Sequence, residues 1–388
     1  MNNLLLIGNG FDLAHGLCTS YNDFLTIMKE WPFFITNYKD TKRGKRVGTD
    51  NPYYKYLMDV DKLDGKNIDM LGNIITNNSW VNYYCKCEAE IDGWIDFERE
   101  ICPVIKLAEN IFGMIYSTLR AGENMGEVHI MKEQFRPDEL RLARLWPKYF
   151  DVSDKTVVKI KSPFASRQYG ILKKQIIKSL REDFNEFIHA FEIYLYEFVY
   201  KREDIKKLKQ IDEIGITTVI SFNYTLTERI YGIDENDVHH IHGMIRTDFS
   251  AGKNNMVVGV NEQENIDIDF IYFVKYFQRI QKASGVKYKE LLERKTKDDN
   301  MIHTNYILYI YGHSLDETDA DILKFVIGKI NDKGRLVLYP EKVVIFYYND
   351  ADYEQKVINL IKLYGRSQVE AYMEANLFEF IEITDETI

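Results

Sequence analysis

The sequence lacks most of what would set it outside the ordinary globular class. No stretch approaches the roughly 20 uninterrupted apolar residues of a membrane-spanning helix, so a spanning chain is excluded. Cysteine is scarce: Cys18, Cys85, Cys87 and Cys102 are the four in 388 residues. They are too few and too unevenly placed for a disulfide framework and suit a reducing compartment. Cys85 and Cys87 stand close together, but structural zinc calls for paired short spacings, and no second pair exists. Repeats, low-complexity tracts and flexible linkers are also missing. The opening MNNLLLIGNGFDLAHG has no basic start and an apolar run far too short for a signal sequence. Those residues are expected to belong to the fold, and the chain to a soluble, cytoplasmic protein.

What is present is balanced. Hydrophobic residues make up 45% and charged residues 28%, and the net charge of −10 argues against a surface built for nucleic acid, which needs clustered Lys and Arg. Two basic stretches survive that argument: Lys42, Arg43, Lys45 and Arg46, and Lys201, Arg202, Lys206, Lys207 and Lys209. A solvated loop or helix face is the simpler reading of both.

The pattern along the chain is that of an interrupted α/β fold. Leu4-Leu5-Leu6-Ile7 is a short continuous apolar run emptying into Gly8-Asn9-Gly10, the look of a buried parallel strand leading into a tight loop. Ser20 followed by Asp23 marks a helix start, with the helix reaching about Trp31. From about Tyr38 to Pro163 no strand pattern recurs; a long helical stretch is expected around Glu88 to Arg120, carrying Trp94, Ile95, Phe97, Ile101 and Ile105. Phe184, Phe187, Ile188, Phe191 and Leu195 predict a second long helix to about Tyr200. Strand signals return at Ile216–Ile220, Val238–Ile241, Met256–Val258, Tyr306–Tyr311 and Val343–Tyr347. A lone N-terminal strand cannot make a sheet, so it should pair with these later strands. The expected organisation is an α/β, Rossmann-like parallel-sheet core over residues 1–37 and 205–388, interrupted by a mostly helical insertion over 38–204.

The chemistry-bearing residues sit where apolar runs end. Gly8 and Gly10 could let backbone amides approach a phosphate, or serve only a tight turn; the third glycine of the dinucleotide fingerprint is missing, because Leu13 occupies its place. Asn223, in Ser221-Phe222-Asn223-Tyr224-Thr225, can donate and accept together, which suits a ribose hydroxyl or an attacking water; an Asx turn is the plain alternative. In His239-His240-Ile241-His242-Gly243, strand alternation puts His240 and His242 on one face. No carboxylate stands in an obvious ligand register with them, so no metal is expected, and a base or a buried structural histidine both fit. Tyr311-Gly312-His313-Ser314 repeats the theme of a strand running into glycine, so that Gly312 and Ser314 could line a nucleotide. Asp316 and Asp319 after it suit a helix start and lack the spacing of a calcium loop. Asp96 and Glu98 stand two apart, which does not put them on one helix face, so they do not read as an acid and base pair.

Taken in order, IGNGFDLAHGL with TSYNDFL, WIDFE, SFNYT, HIHG and YGHSLDETD resemble the bacterial AbiH family, associated with abortive infection against bacteriophage. A more distant likeness is to the sirtuin-like NAD-binding fold, including its antiphage branch that hydrolyses NAD. That likeness implies catalysis by Asn223 and His242, and cleavage of the nicotinamide–ribose bond by an NAD glycohydrolase. It implies NAD contacts from the loop Gly8, Asn9, Gly10, Phe11 and Asp12, from Ser221 and Tyr224, and from Gly312, His313 and Ser314 near the adenosine half. The sequence departs from the pattern at Asp12, where serine is usual, and at Thr225, where aspartate is usual. A toxic hydrolase must be held silent, so gating by self-association or by the insertion is expected, released by a phage-derived trigger. Two other classes stay open: a nucleotide sensor without turnover, and a nucleic-acid effector using the basic stretches.

Overall fold

The computed structural model describes residues 2–87, 97–118, 128–166, 168–249, 253–260, 266–284, 287–296, 306–330, 336–338 and 340–384. The chain divides into two compact units, the first made of Met1–Ser20, Val199–Met256 and Lys282–Ile388, the second of Tyr21–Phe198 and Val257–Gln281.

The first unit is built on six strands: β1 (Asn2–Ile7), β2 (Thr218–Ser221), β3 (Val238–His240), β4 (Tyr306–Tyr311), β5 (Lys342–Tyr347) and β6 (Phe378–Glu382). They form one sheet in the order β6-β5-β4-β1-β2-β3, and every pairing is parallel. β1 is covered on both faces. Leu4 and Leu6 enter one core with Ile220, Leu308, Ile310 and Leu323, while Leu5 and Ile7 enter another with Val219, Tyr311, Val344 and Phe346. A strand buried on both sides has no polar face to alternate with, which is why its sequence is a continuous apolar run.

Strand order runs outward from β1 through β2 to β3 in one direction and from β4 through β5 to β6 in the other, reversing between β1 and β4. Open α/β sheets take ligands outside the carboxyl ends of the strands at such a reversal. The register, Ile7 opposite both Tyr311 and Ser221, brings Gly8, Phe222 and Gly312 out at one edge. The helices of this unit include α1 (Asn9–Ala14), α2 (Ala320–Ile327) and α3 (Asp350–Tyr364).

The second unit holds the helix Lys173–Leu195, and it buries Ile176, Leu180, Phe184, Phe187 and Phe191 as the periodicity requires. The helix Tyr21–Lys29 starts directly after Ser20. The helical stretch expected around 88–120 is helical over Phe97–Phe112; residues 88–96, with Trp94, Ile95 and Asp96, and residues 119–120 lie outside the described residues. Glu98 pairs with Lys275 at 2.6 Å within this unit.

Two expectations are corrected, and one strand was not foreseen. The segment read as lacking strands contains a four-stranded antiparallel sheet of Ser117–Thr118, Val128–Met131, Val157–Ile160 and Phe150–Asp151, in that order. Val128, Ile130, Phe150, Val158 and Ile160 are its buried residues, and strands this short give period-2 alternation too few repeats to stand out. Met256–Val258 is not a strand. The Gln278 side chain occupies the place of a neighbouring strand there, its Nε2 donating to the Val258 carbonyl at 2.6 Å. β6 gave no expectation at all, although Phe378 and Phe380 alternate with Glu379 and Ile381.

Candidate functional site

The glycines of the two loops meet each other. Gly8 N–H donates to the Tyr311 carbonyl at 3.1 Å, Gly10 N–H to the Gly312 carbonyl at 2.9 Å, and Phe11 N–H to the Gly8 carbonyl at 2.9 Å. A Cβ on Gly8 would lie 2.7 Å from the Gly312 oxygen, and one on Gly312, at φ +66°, only 2.1 Å from the Phe11 nitrogen. These glycines therefore let two backbone loops touch across the strand-order reversal. Asn9 is exposed at the tip, its Oδ1 accepting from Thr19 Oγ1 at 2.7 Å, while Phe11 is fully buried against Tyr311.

Beside this loop lies a buried polar cluster. Asn223 Nδ2 donates to the Gly8 carbonyl at 3.0 Å, and its N–H donates to Ser221 Oγ at 3.1 Å, so Ser221 and Asn223 close the end of β2. The Asx-turn alternative for Asn223 gives way to this long-range bond. His240 Nδ1 donates to the Asn223 carbonyl at 3.0 Å, and its Nε2 stands 3.3 Å from Glu228 Oε1. Burial works against charge on His240, but its hydrogen bond to Glu228, the Glu228 charge and the Asn223 carbonyl outweigh it and raise its pKa above the ordinary imidazole value. Both ring nitrogens face acceptors, so His240 bridges Asn223 and Glu228. His239, on the other face, stacks on Tyr288, and burial together with the charge of His240 pushes its pKa down to about 4.

Asp12 is buried in the same cluster, its Oδ2 accepting from Thr225 Oγ1 at 2.6 Å. Burial pushes its pKa from 3.8 up to about 7, more than the hydrogen bonds to Thr225 and Thr227 lower it, with Glu228 adding repulsion. The unfolded chain ionises this carboxyl above pH 3.8, whereas the folded chain keeps the proton until about pH 7. Stability therefore falls with rising pH across that window, by on the order of 4 kcal/mol once both states are ionised. Asp12→Asn keeps an acceptor for Thr225. It is expected to resist urea better than the wild type at about pH 8 and to lose the advantage near pH 4. Equal gains at both pH values would show that ionisation is not the cause.

The third group gathers at the end of β4. His242 Nε2 stands 3.4 Å from Asp319 Oδ1, and His313 Nε2 stands 3.6 Å from Asp319 Oδ2. Phe222 packs on both rings, 5.5 Å from His242 and 4.3 Å from His313 between centroids, and Tyr224 lies 6.5 Å from His242. Ser314 is exposed, its carbonyl accepting from Asn359 Nδ2 on α3 at 2.8 Å. β3 ends at His240, so strand alternation does not govern His242, and the two histidines have different partners. Among the described residues no group of three His, Cys, Asp or Glu is placed to hold a metal ion.

The residues singled out in the sequence thus lie along one edge of one sheet. Sequence reasoning missed Glu228 and Thr227, and it assigned Asp319 only to a helix start. Glu228 carries no local signal beyond standing five positions after Asn223, since its role depends on a histidine from another strand.

Fold and site together define an α/β protein whose parallel sheet gathers Asn, His and Asp side chains at its carboxyl edge. The family model described as "Bacteriophage abortive infection AbiH" matches residues 4–339, and the chain belongs to that family. Membership suggests a role in abortive infection as phage defence. No curated protein and no solved structure matches the chain. Among the described residues no helix is long and apolar enough to cross a membrane.

Proposed function

We propose that the first unit binds NAD at the carboxyl edge of its sheet and hydrolyses the nicotinamide–ribose bond as the effector step of phage defence. The observation that carries this reading is the placement of Asn223 on the Gly8 carbonyl, with His242 joined through Asp319 to His313, which abuts Gly8 at the reversal of strand order. The order β3-β2-β1-β4-β5-β6 is that of a Rossmann sheet, which takes dinucleotides at this place, and it supports the sirtuin-like likeness.

The chemistry asks little of the protein. Nicotinamide is a cationic substituent that leaves neutral, so its departure needs no general acid, and an oxocarbenium ion develops on the ribose. Water adds to the ribose carbon and gives up a proton to His242, while Asn223 orients ribose and water. The products are nicotinamide, ADP-ribose and a proton. The Gly8, Gly10 and Phe11 amides are bonded to protein carbonyls. The diphosphate is therefore assigned to the exposed Asn9 and to the rim formed with Ser314.

Those same internal bonds favour a second reading, in which the site senses a nucleotide without turning it over. The basic stretches lend little to a nucleic-acid effector, since Lys45 pairs with Asp40 at 2.7 Å, Arg202 with Asp204 at 2.6 Å and Lys207 with Asp212 at 2.7 Å. Purified protein incubated with NAD, with products followed by chromatography, is expected to release nicotinamide and ADP-ribose in equal amounts. Bound NAD without product would select the sensor reading, and absence of both would remove NAD as the ligand.

A further inference from the structure

Asp319 occupies the N-cap position of α2, where an aspartate ordinarily accepts a hydrogen bond from the first turn. It makes no such bond: its carboxylate lies between His242 and His313, 3.4 Å and 3.6 Å from their Nε2 atoms. His313 is fixed from its other side. The Leu315 N–H donates to His313 Nδ1 at 2.9 Å, so the neutral ring carries its proton on Nε2, the nitrogen facing Asp319. Leu315 adopts φ +58° to present that N–H, a left-handed conformation that costs a branched residue on the order of 1 kcal/mol. The neighbouring Gly312, at φ +66°, holds the same turn against the glycine loop. Phe222 walls both imidazoles, leaving their rings little rotational freedom.

We infer that Asp319 is a positioning residue for His242: its carboxylate holds the His242 proton on Nε2 and leaves Nδ1 as the nitrogen that accepts a proton from the reacting water, while His313 holds the carboxylate in place. The role of His242 as base rests on the NAD reading, but the tautomer and its dependence on Asp319 do not. The arrangement places the carboxylate behind the imidazole, where it also stabilises the imidazolium formed when His242 takes the proton. The strained Leu315 backbone is a local cost from which α2 itself gains nothing.

The test has two arms, both on the full chain. In the first, nitrogen NMR of ¹⁵N-histidine-labelled protein, with His242 assigned by the signal missing from His242→Gln, is expected to show its proton on Nε2 at mildly alkaline pH. Asp319→Ala, which removes no capping bond, is expected to give a mixture of both tautomers. A His242 proton resident on Nδ1, or a tautomer unchanged in Asp319→Ala, overturns the inference whatever the protein does with NAD. In the second arm, Asp319→Ala is expected to lower kcat for nicotinamide release about 100-fold with KM held within about threefold, and Asp319→Glu to recover a large part of it. An unchanged kcat overturns the inference. A wild type that releases no nicotinamide removes NAD hydrolysis and leaves the NMR arm to decide the role of Asp319.

Discussion

His242→Ala is expected to slow nicotinamide release by about 10²- to 10⁴-fold, the usual cost of losing a general base, while NAD affinity measured by calorimetry moves by less than about threefold. Asn223→Ala should behave differently, because Asn223 Nδ2 also ties β2 to the Gly8 carbonyl. It should lose turnover and, in addition, about 0.5–1.5 kcal/mol of stability, the net worth of one hydrogen bond, since the Gly8 carbonyl keeps the Phe11 N–H. The contrast separates chemistry from scaffold. Full activity in His242→Ala would remove this histidine as the base. Full activity of that variant alongside an inactive His240→Gln would transfer the role to His240, despite both its ring nitrogens being engaged with Asn223 and Glu228.

Gly312→Ala carries the largest expected effect on stability. Its Cβ would lie 2.1 Å from the Phe11 nitrogen and 2.4 Å from the Gly10 carbonyl carbon, both backbone atoms that cannot swing aside as a side chain would. The positive φ adds about 1 kcal/mol, and the clash forces the two loops apart, so a loss of about 3–5 kcal/mol is expected. Gly16→Ala is the control. Its φ of +70° is as strained for alanine, but nothing lies within 4 Å of the added Cβ, and only about 1 kcal/mol should be lost. Urea unfolding of the two variants side by side reads the difference. Equal midpoints would mean that the glycine loops do not touch.

Both predictions bear on how much was legible in the residues themselves. The parallel character of the sheet was legible at β1, because burial on both faces leaves an uninterrupted apolar run in the sequence. The ends of β2 and β4 were legible for the same reason, an apolar run giving way to Ser221-Phe222-Asn223 and to Gly312. Short antiparallel strands were not: Val157–Ile160 has only Val158 and Ile160 turned fully inward, too little alternation to separate from chance. Met256–Val258 misled in the opposite direction, because buried extended chain has the same composition whether a strand or the side chain of Gln278 satisfies its backbone.

The site divides along the same line. Sequence by itself determined which residue types stand at strand ends, that two glycines follow β1, and that Asn223, His240, His242 and His313 are available near them. Tertiary structure alone decided their partners. It closed Gly8 and Gly10 onto Gly312, gave His240 to Glu228 and His242 to Asp319, and buried Asp12 deeply enough to raise its pKa to about 7. The physical reason is one of range. Strand burial and turn chemistry act between residues a few positions apart and leave a periodic trace. Hydrogen bonds, desolvation and close backbone approach join residues as distant as Gly10 and Gly312, and no local pattern records which distant groups will meet.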